Sequence, residues 1–289
     1  MSDDQISRRA WLGAIPGAIG LAAAMGDRAE AQEYRIAGAD LKLGVASYSF
    51  RNFSREQAIK MTKELGTPYI NVKDFHLPLN STPEQMDAAR KEFEDAGLVI
   101  VGCGNVTFNK DDEAAIRQNF EYAKRLGAPL IVCAPTHATL PKMEKFVKEF
   151  DIKIAVHNHG PEDKQFPTPQ SVLEVVKNMD PRCGLCIDVG HTARTGVDVV
   201  ASIAEAGPRL LDMHLKDLGD MRVKESQVAV GEGKMPIRQI FMQLIKMKYK
   251  GAMNLEYEIN ADDPMPGMQK SFAYMRRVLT EIQGGKDAT

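Results

Sequence analysis

Four short stretches of the chain hold residues that could bind a cation and move a proton: VHNHG (156–160), CIDVGHTAR (186–194), MHLKD (213–217) and NLEYE (254–258). They contribute His157, His159, Asp188, His191, His214, Lys216, Glu256 and Glu258. Imidazole nitrogens and carboxylate oxygens together suit Mn, Zn, Co or Fe, and such a mixed set does not choose among them. A divalent cation polarises a carbonyl and acidifies the neighbouring C–H. A nearby imidazole can then take the proton. The plain alternative is a salt-bridged polar network that holds no ion. The elements that carry these stretches decide between the two.

From residue 41 onward, short apolar runs alternate with helical patterns. The strand candidates are LKLGVAS (41–47), YINVK (69–73), LVIVGCGN (98–105), PLIVCA (129–134), IKIAVHNH (152–159), CGLCIDVG (183–190), LLDMHLK (210–216) and AMNLEYE (252–258). Between them, REQAIKMTKELG, TPEQMDAARKEFEDAG, DEAAIRQNFEYAKRLG, TPQSVLEVVKNM, VDVVASIAEAG, PIRQIFMQLIKMKY and the segment 268–282 read as helices. Their apolar residues recur at three- and four-residue spacing. Thr82 followed by Pro83 reads as an N-cap with a first-turn proline, and Gly97 as a stop. Alternating strands and helices imply parallel pairing. Eight repeats over roughly 250 residues fit an α/β class (β/α)8 TIM barrel, a single domain. An open doubly wound sheet would carry a glycine-rich loop after the first strand; SYSFRNFS there has none.

In such a barrel the site lies at the C-terminal ends of the strands, and alternate side chains face the lumen. Parity groups His157 with His159, Cys186 with Asp188, Asp212 with His214 and Lys216, Asn254 with Glu256 and Glu258, and Asn71 with Lys73. Asn105 closes the third strand candidate. Burying so many charges without partners is costly, and a cation resolves most of that cost. His157, Asp188, His214 and Glu256, from four consecutive strands, are the expected metal ligands. Because His157 and His159 share a face, either imidazole could be the fifth strand's donor.

The segments GVASYSF, VKDFHLPL, IAVHNHG, CIDVGHTARTGVD, MHLKDL, VGEGKMPI and GAMNLEYE, in this order and spacing, resemble the sugar phosphate isomerase/epimerase superfamily, the xylose isomerase-like TIM barrels. The resemblance runs from about Leu43 to Leu279. It implies a metal held by an acid after the fifth strand, Asp after the sixth, His after the seventh and Glu after the eighth. The last three correspond to Asp188, His214 and Glu256. At the first, relatives resembling ketose 3-epimerases have Glu where this chain has His157, which counts against simple 3-epimerisation. The implied activity is that of a metal-dependent isomerase, epimerase or lyase. Its expected substrate is a non-phosphorylated keto-sugar or 3-keto-glycoside, deprotonated next to the carbonyl to an enediolate held by the metal. His159 is the expected acid/base. Lys216 is placed to stabilise the enediolate oxygen or to pair with Glu258. Lys73, His76, Asn105, His191 and Glu258 are the expected substrate contacts. Glu232, between the glycines of VGEGK, suggests a loop that closes over substrate, or a turn. A non-catalytic periplasmic sugar-binding protein with a vestigial metal site is the alternative.

The net charge of −2 argues against nucleic acid as a partner, and so against a DNA-repair endonuclease of the same superfamily. Residues 1–31 read as a Tat-type export signal: Arg8-Arg9, an apolar run from about Trp11 to Met25, then Ala29-Glu30-Ala31. The run is short for a spanning helix, which needs about 20 residues. The expectation is a periplasmic protein comprising 32–289, without stable membrane insertion once the signal is cleaved, and compatible with a homo-oligomer. Cys183-Gly-Leu-Cys186 lacks the second pair of a zinc site. The four cysteines read as buried thiols, with a Cys183–Cys186 disulfide as the alternative.

Overall fold

The structure, a computed structural model, describes residues 41–284; the expected export signal, 1–31, lies outside the described residues. Strands β1 (Lys42–Ala46), β2 (Tyr69–Val72), β3 (Val99–Phe108), β4 (Leu130–Pro135), β5 (Lys153–His157), β6 (Cys183–Asp188) and β7 (Leu210–Leu215) belong to one sheet. Two short strands follow, β8 (Asp217–Leu218) and β9 (Gln227–Val228), which pair antiparallel beside it. The last strand is β10 (Ala252–Leu255). The sheet closes as a parallel barrel in the order β1-β10-β7-β6-β5-β4-β3-β2. The expected (β/α)8 architecture is therefore the observed one.

The helices are α1 (Arg55–Glu64), α2 (Pro83–Asp95), α3 (Glu113–Leu126), α4 (Leu140–Phe150), α5 (Pro169–Val176), α6 (Val189–Arg194), α7 (Val199–Ala206), α8 (Ile237–Lys246) and α9 (Met265–Gly284). Ser54, Thr82 and Thr168 each close a capping box, satisfying two backbone donors that a helix start leaves free. α4 has no such signature. Its N-cap, Thr139, is itself helical and makes no side-chain cap bond, so the sequence patterns above do not mark it.

The main core lies between barrel and helices. Phe93, Phe120, Phe146, Phe241 and Phe272 bring one ring each from α2, α3, α4, α8 and α9, all essentially fully buried. Each contributes on the order of 2–3 kcal/mol by leaving water. A second small cluster, Leu130, Val132, Ala155 and Cys186, shares the strand parity of His157 and Asp188. All four cysteines are free and buried, and burial pushes the Cys183 thiol up to about 12.

Several strand ends differ from expectation: β10 stops at Leu255, so Glu256 and Glu258 follow the strand, and β7 stops at Leu215, just before Lys216. Three further differences shape the site. β5 stops at His157, so His159 sits on the following loop. β6 stops at Asp188, whose side chain accepts the His191 N–H at 2.8 Å and caps α6. β3 runs past Asn105 to Phe108, with an irregular register between Cys103 and Val106. Gly104 makes that bulge possible: its φ is +107°, and a Cβ there would lie 2.1 Å from the Val132 carbonyl oxygen.

Candidate active site

The barrel register places Asp188 beside His214, and His214 beside Asn254, two residues before Glu256. His157 Nε2 lies 3.0 Å from His214 Nδ1 and 3.5 Å from Asp188 Oδ2, and His214 Nδ1 lies 3.2 Å from Glu256 Oε2. One donor atom from each of these four buried residues lies within 4.8 Å of all the others. His159 is not part of this cluster. Its ring lies tilted beside that of His157, centroids 4.3 Å apart, so the geometry brings His157 and not His159 into the cluster.

Two imidazole nitrogens that face each other beside two carboxylate oxygens fit a divalent cation. Metal–nitrogen bonds of about 2.0–2.1 Å would put tetrahedral donors on the order of 3.3 Å apart. Burial and the charge of neighbouring His159 hold His157 well below the ordinary histidine range, leaving the neutral form that binds metals. Burial opposes a charge on His214, but the Glu256 carboxylate outweighs it and raises its pKa. Burial likewise opposes ionisation of Asp188 and Glu256. The Lys216 ammonium and the hydrogen-bonding imidazoles beside them, His157 for the first and His214 for the second, outweigh burial and hold both well below the carboxylate range. The outer nitrogens, His157 Nδ1 and His214 Nε2, have no hydrogen-bond partner among the described residues. The two imidazole rings pack at a tilt of 57°, centroids 4.7 Å apart.

Lys216 is 3% exposed and ties the cluster together. Its Nζ lies 2.9 Å from Asp188 Oδ2, 3.0 Å from Glu256 Oε2 and 3.0 Å from Glu258 Oε2. It thus reaches Glu258, as expected, and two of the four clustered donors as well. Gly190 makes room for it: a Cβ there would meet the Lys216 stem at 2.7 Å.

His159 Nε2 is 2.8 Å from Asn105 Nδ2, and its Nδ1 is 3.4 Å from Asp163 Oδ2. An amide N–H can only donate, so Nε2 is the accepting nitrogen and Nδ1–H faces the carboxylate. Burial lowers the His159 pKa. Asp163 was not among the residues the sequence singled out. Its only signal is its place four residues after His159 in HNHGPED. Asn158, between the two histidines, is fully buried and faces the other way. It accepts the Asp188 N–H and donates to Thr192 Oγ1, both at 3.1 Å, tying the HNH segment to the start of α6.

Lys73 lies near the site, its Nζ 3.3 Å from the Asn105 carbonyl oxygen and 5.5 Å from the Tyr48 ring centre. Phe75, half exposed at 53%, packs edge-on against Tyr48. His76 departs from expectation. Its two ring nitrogens engage Ser47 Oγ at 3.0 Å and the Phe50 carbonyl oxygen at 3.2 Å, and it is 2% exposed. Both nitrogens are engaged by the protein, so neither is free in this structure for the substrate contact expected of His76.

Of the two readings of the Glu232 segment, a closing loop or a turn, the structure shows the turn. The Asp217 carboxylate accepts N–H bonds from Gly231 (2.9 Å), Gly233 (3.1 Å), Met235 (2.9 Å) and Leu218 (2.9 Å), pinning VGEGK as a turn. A Cβ on Gly233 would lie 2.2 Å from Asp217 Oδ1. The Glu232 side chain pairs with Lys270 at the surface.

Below the cluster, Asn254 Nδ2 donates to both Asp212 oxygens, at 2.9 and 3.2 Å. Burial pushes the Asp212 carboxyl up to about 7 from 3.8. A pKa raised on folding means that the native state binds the proton more tightly. The stability contributed by this group is complete below 3.8 and lost as pH rises through about 7. Asp212→Asn keeps the shape and removes the ionisation. Its Tm should equal or exceed that of the parent at pH 8, with the gap closing towards pH 5. A clear loss at pH 8 would refute the assignment.

A sequence profile described as xylose isomerase-like TIM barrel matches residues 59–278. An inosose dehydratase from Mesomycoplasma hyopneumoniae (strain 7448) is 24% identical over 161 residues, 49% of this chain and 53% of that protein. The chain therefore spans about half the length of the curated relatives it matches. Among solved structures, D-psicose 3-epimerase in the presence of D-fructose superposes with a TM-score of 0.66 at 16% identity, covering 83% of this chain and 100% of that one. The IOLI protein with a binding zinc atom gives a TM-score of 0.70 at 16% identity, covering 83% and 99%. At these identities the structural likeness is one of fold. Among the described residues no helix is long and apolar enough to cross a membrane.

Proposed function

The chain belongs to the xylose isomerase-like TIM barrel family, and from that premise we propose that it is a divalent-metal-dependent enzyme acting on a keto-sugar or 3-keto-glycoside without a phosphate. The reaction class is isomerase, epimerase or lyase. The observation that carries this reading is the convergence of His157, Asp188, His214 and Glu256 on one buried point, with Lys216 alongside. The names of the similar proteins, inosose dehydratase and D-psicose 3-epimerase, support the substrate class. The twin-arginine segment supports a periplasmic location, where unphosphorylated sugars are the expected substrates.

His157, Asp188, His214 and Glu256 would hold the ion, which when bound supplies Lewis acidity to a carbonyl oxygen. Lys216 provides a fixed positive charge for the oxyanion that develops as the neighbouring carbon loses its proton. His159 takes that proton at Nε2. Asp163 faces its Nδ1–H and stabilises the imidazolium that results. Asn105, which holds Nε2 at rest, yields to the substrate C–H or hydroxyl. Return of the proton to the other face gives an epimer, return to the adjacent carbon an isomer, and departure of a β-substituent an elimination product.

All three outcomes share the first proton transfer, so the test reads that step. Metal-loaded protein in D2O should wash deuterium into the position next to the carbonyl of a keto-sugar or 3-keto-glycoside, followed by proton NMR. No wash-in across a panel of such compounds would overturn the proposal. His159→Gln should slow wash-in by about 10²- to 10⁴-fold while bound metal per chain stays the same. Retained exchange, or lost metal, would exclude His159 as the base.

A further inference from the structure

Arg194, the last residue of α6, is almost wholly buried, with a side chain 4% exposed. Its Nη2 donates to Glu162 Oε1, and its Nη1 lies 3.0 Å from His191 Nδ1. A guanidinium has five N–H donors, no acceptor, and no accessible neutral form. The only hydrogen bond it can make to His191 is one in which Nδ1 accepts. Neutral imidazole has one protonated nitrogen, so the proton must be on Nε2.

Nε2 points back towards the site. It lies 4.0 Å from Asp188 Oδ2, beyond hydrogen-bond range. The ring stands edge-on to His157, with centroids 5.7 Å apart. The backbone N–H of His191 bonds Asp188 Oδ1 at 2.8 Å, which fixes the root of the side chain. Gly160 closes the other side with φ +83°; a Cβ there would meet Arg194 Nη1 at 3.3 Å and His191 Nδ1 at 3.4 Å. The HNHG loop, Arg194 and His191 therefore form one packed unit.

We propose that Arg194 is a positioning residue. Anchored on Glu162, it holds His191 in the Nε2–H tautomer, so that His191 offers a fixed hydrogen-bond donor to a substrate oxygen and no basic lone pair. This divides the two imidazoles beside the cluster by role: His159 exposes an accepting nitrogen, His191 a donating one. The substrate oxygen rests on the function proposed above; the tautomer does not.

The test is a long-range 1H–15N correlation spectrum of the zinc-loaded full chain with ring-15N histidine, the His191 signals being assigned by their loss in His191→Gln. An unprotonated Nδ1 shift and a protonated Nε2 shift are expected for His191. A protonated Nδ1 would overturn the proposal whatever the enzyme's activity. Arg194→Lys, which still donates, should keep the pattern; Arg194→Gln should move both shifts towards the average of exchanging tautomers. Glu162→Gln, at an exposed side chain, tests the anchor without risk to the fold and should shift His191 part of the way. An unchanged His191 pattern in both Arg194→Gln and Glu162→Gln would show that the guanidinium does not set the tautomer. Failure to find any substrate would leave these shifts, and the proposal, as they stand.

Discussion

Replacing His214 with alanine is expected to take bound metal from about one per chain to none at micromolar protein, read by plasma mass spectrometry after chelator-free purification. Loss of outer-shell partners alone costs metal sites about 10- to 100-fold in affinity; losing a direct donor costs more. His214 is the pivot of the cluster, since its Nδ1 is the atom that lies 3.0 Å from His157 and 3.2 Å from Glu256. Deuterium wash-in should fall with the metal. The raised pKa of His214 adds a second readout. The parent should release protons on zinc uptake near pH 6.5, measured by calorimetry in buffers of different ionisation enthalpy. His214→Ala should not. A variant that keeps stoichiometric metal would mean that the donor cluster is a salt-bridge network instead.

The second large effect concerns Lys216. Its ammonium is held within 3.0 Å of Asp188, Glu256 and Glu258, and those carboxylates raise its pKa well above the ordinary lysine value although burial opposes the charge. Lys216→Met keeps the stem and removes the charge. It leaves buried carboxylates uncompensated, a change that typically costs about 3–5 kcal/mol. The metal-free variant should therefore unfold at markedly lower denaturant than the metal-free parent. A bound divalent ion neutralises the same carboxylates, so zinc should restore most of the loss. Turnover should stay about 10²- to 10³-fold down even in the metal-loaded variant, as for removal of an oxyanion donor. Equal destabilisation with and without zinc would show that Lys216 serves packing alone.

Much of this site was legible because strand periodicity is simple. Once Cys186 and Asp188, or Asp212 and His214, are set on one parity, their direction follows, and the barrel brings adjacent strands into register. The reading weakened where the chain leaves the strands. His159 lies past the end of β5, so parity could not say whether it or His157 meets the cluster. His76 lies in the turn after β2, where the bonds to Ser47 and Phe50 depend on how that turn folds. Asp163, Arg194 and Glu162 were missed because their partners are set by loop geometry, about which residue spacing is silent. VGEGK admits a closing loop or a turn, because glycine serves either. Here its glycines serve close approach to Asp217, a contact from 14 to 16 residues away in sequence.

The four donor residues and Lys216 come from β5, β6, β7 and the segment after β10, one unbroken arc of the barrel wall. Tyr48, Lys73, Phe75 and Asn105 belong to β1–β3 and the turns that follow, on the remaining arc. The two arcs meet at Asn105, whose Nδ2 lies 2.8 Å from Nε2 of His159 on the loop after β5. They also meet in the turn after β1, where Ser49 Oγ donates to the Leu255 carbonyl oxygen at 3.3 Å and accepts the Tyr257 N–H at 2.9 Å, gripping the segment that carries Glu256 from both sides; that turn can be exchanged for another barrel's only if Ser49 is kept.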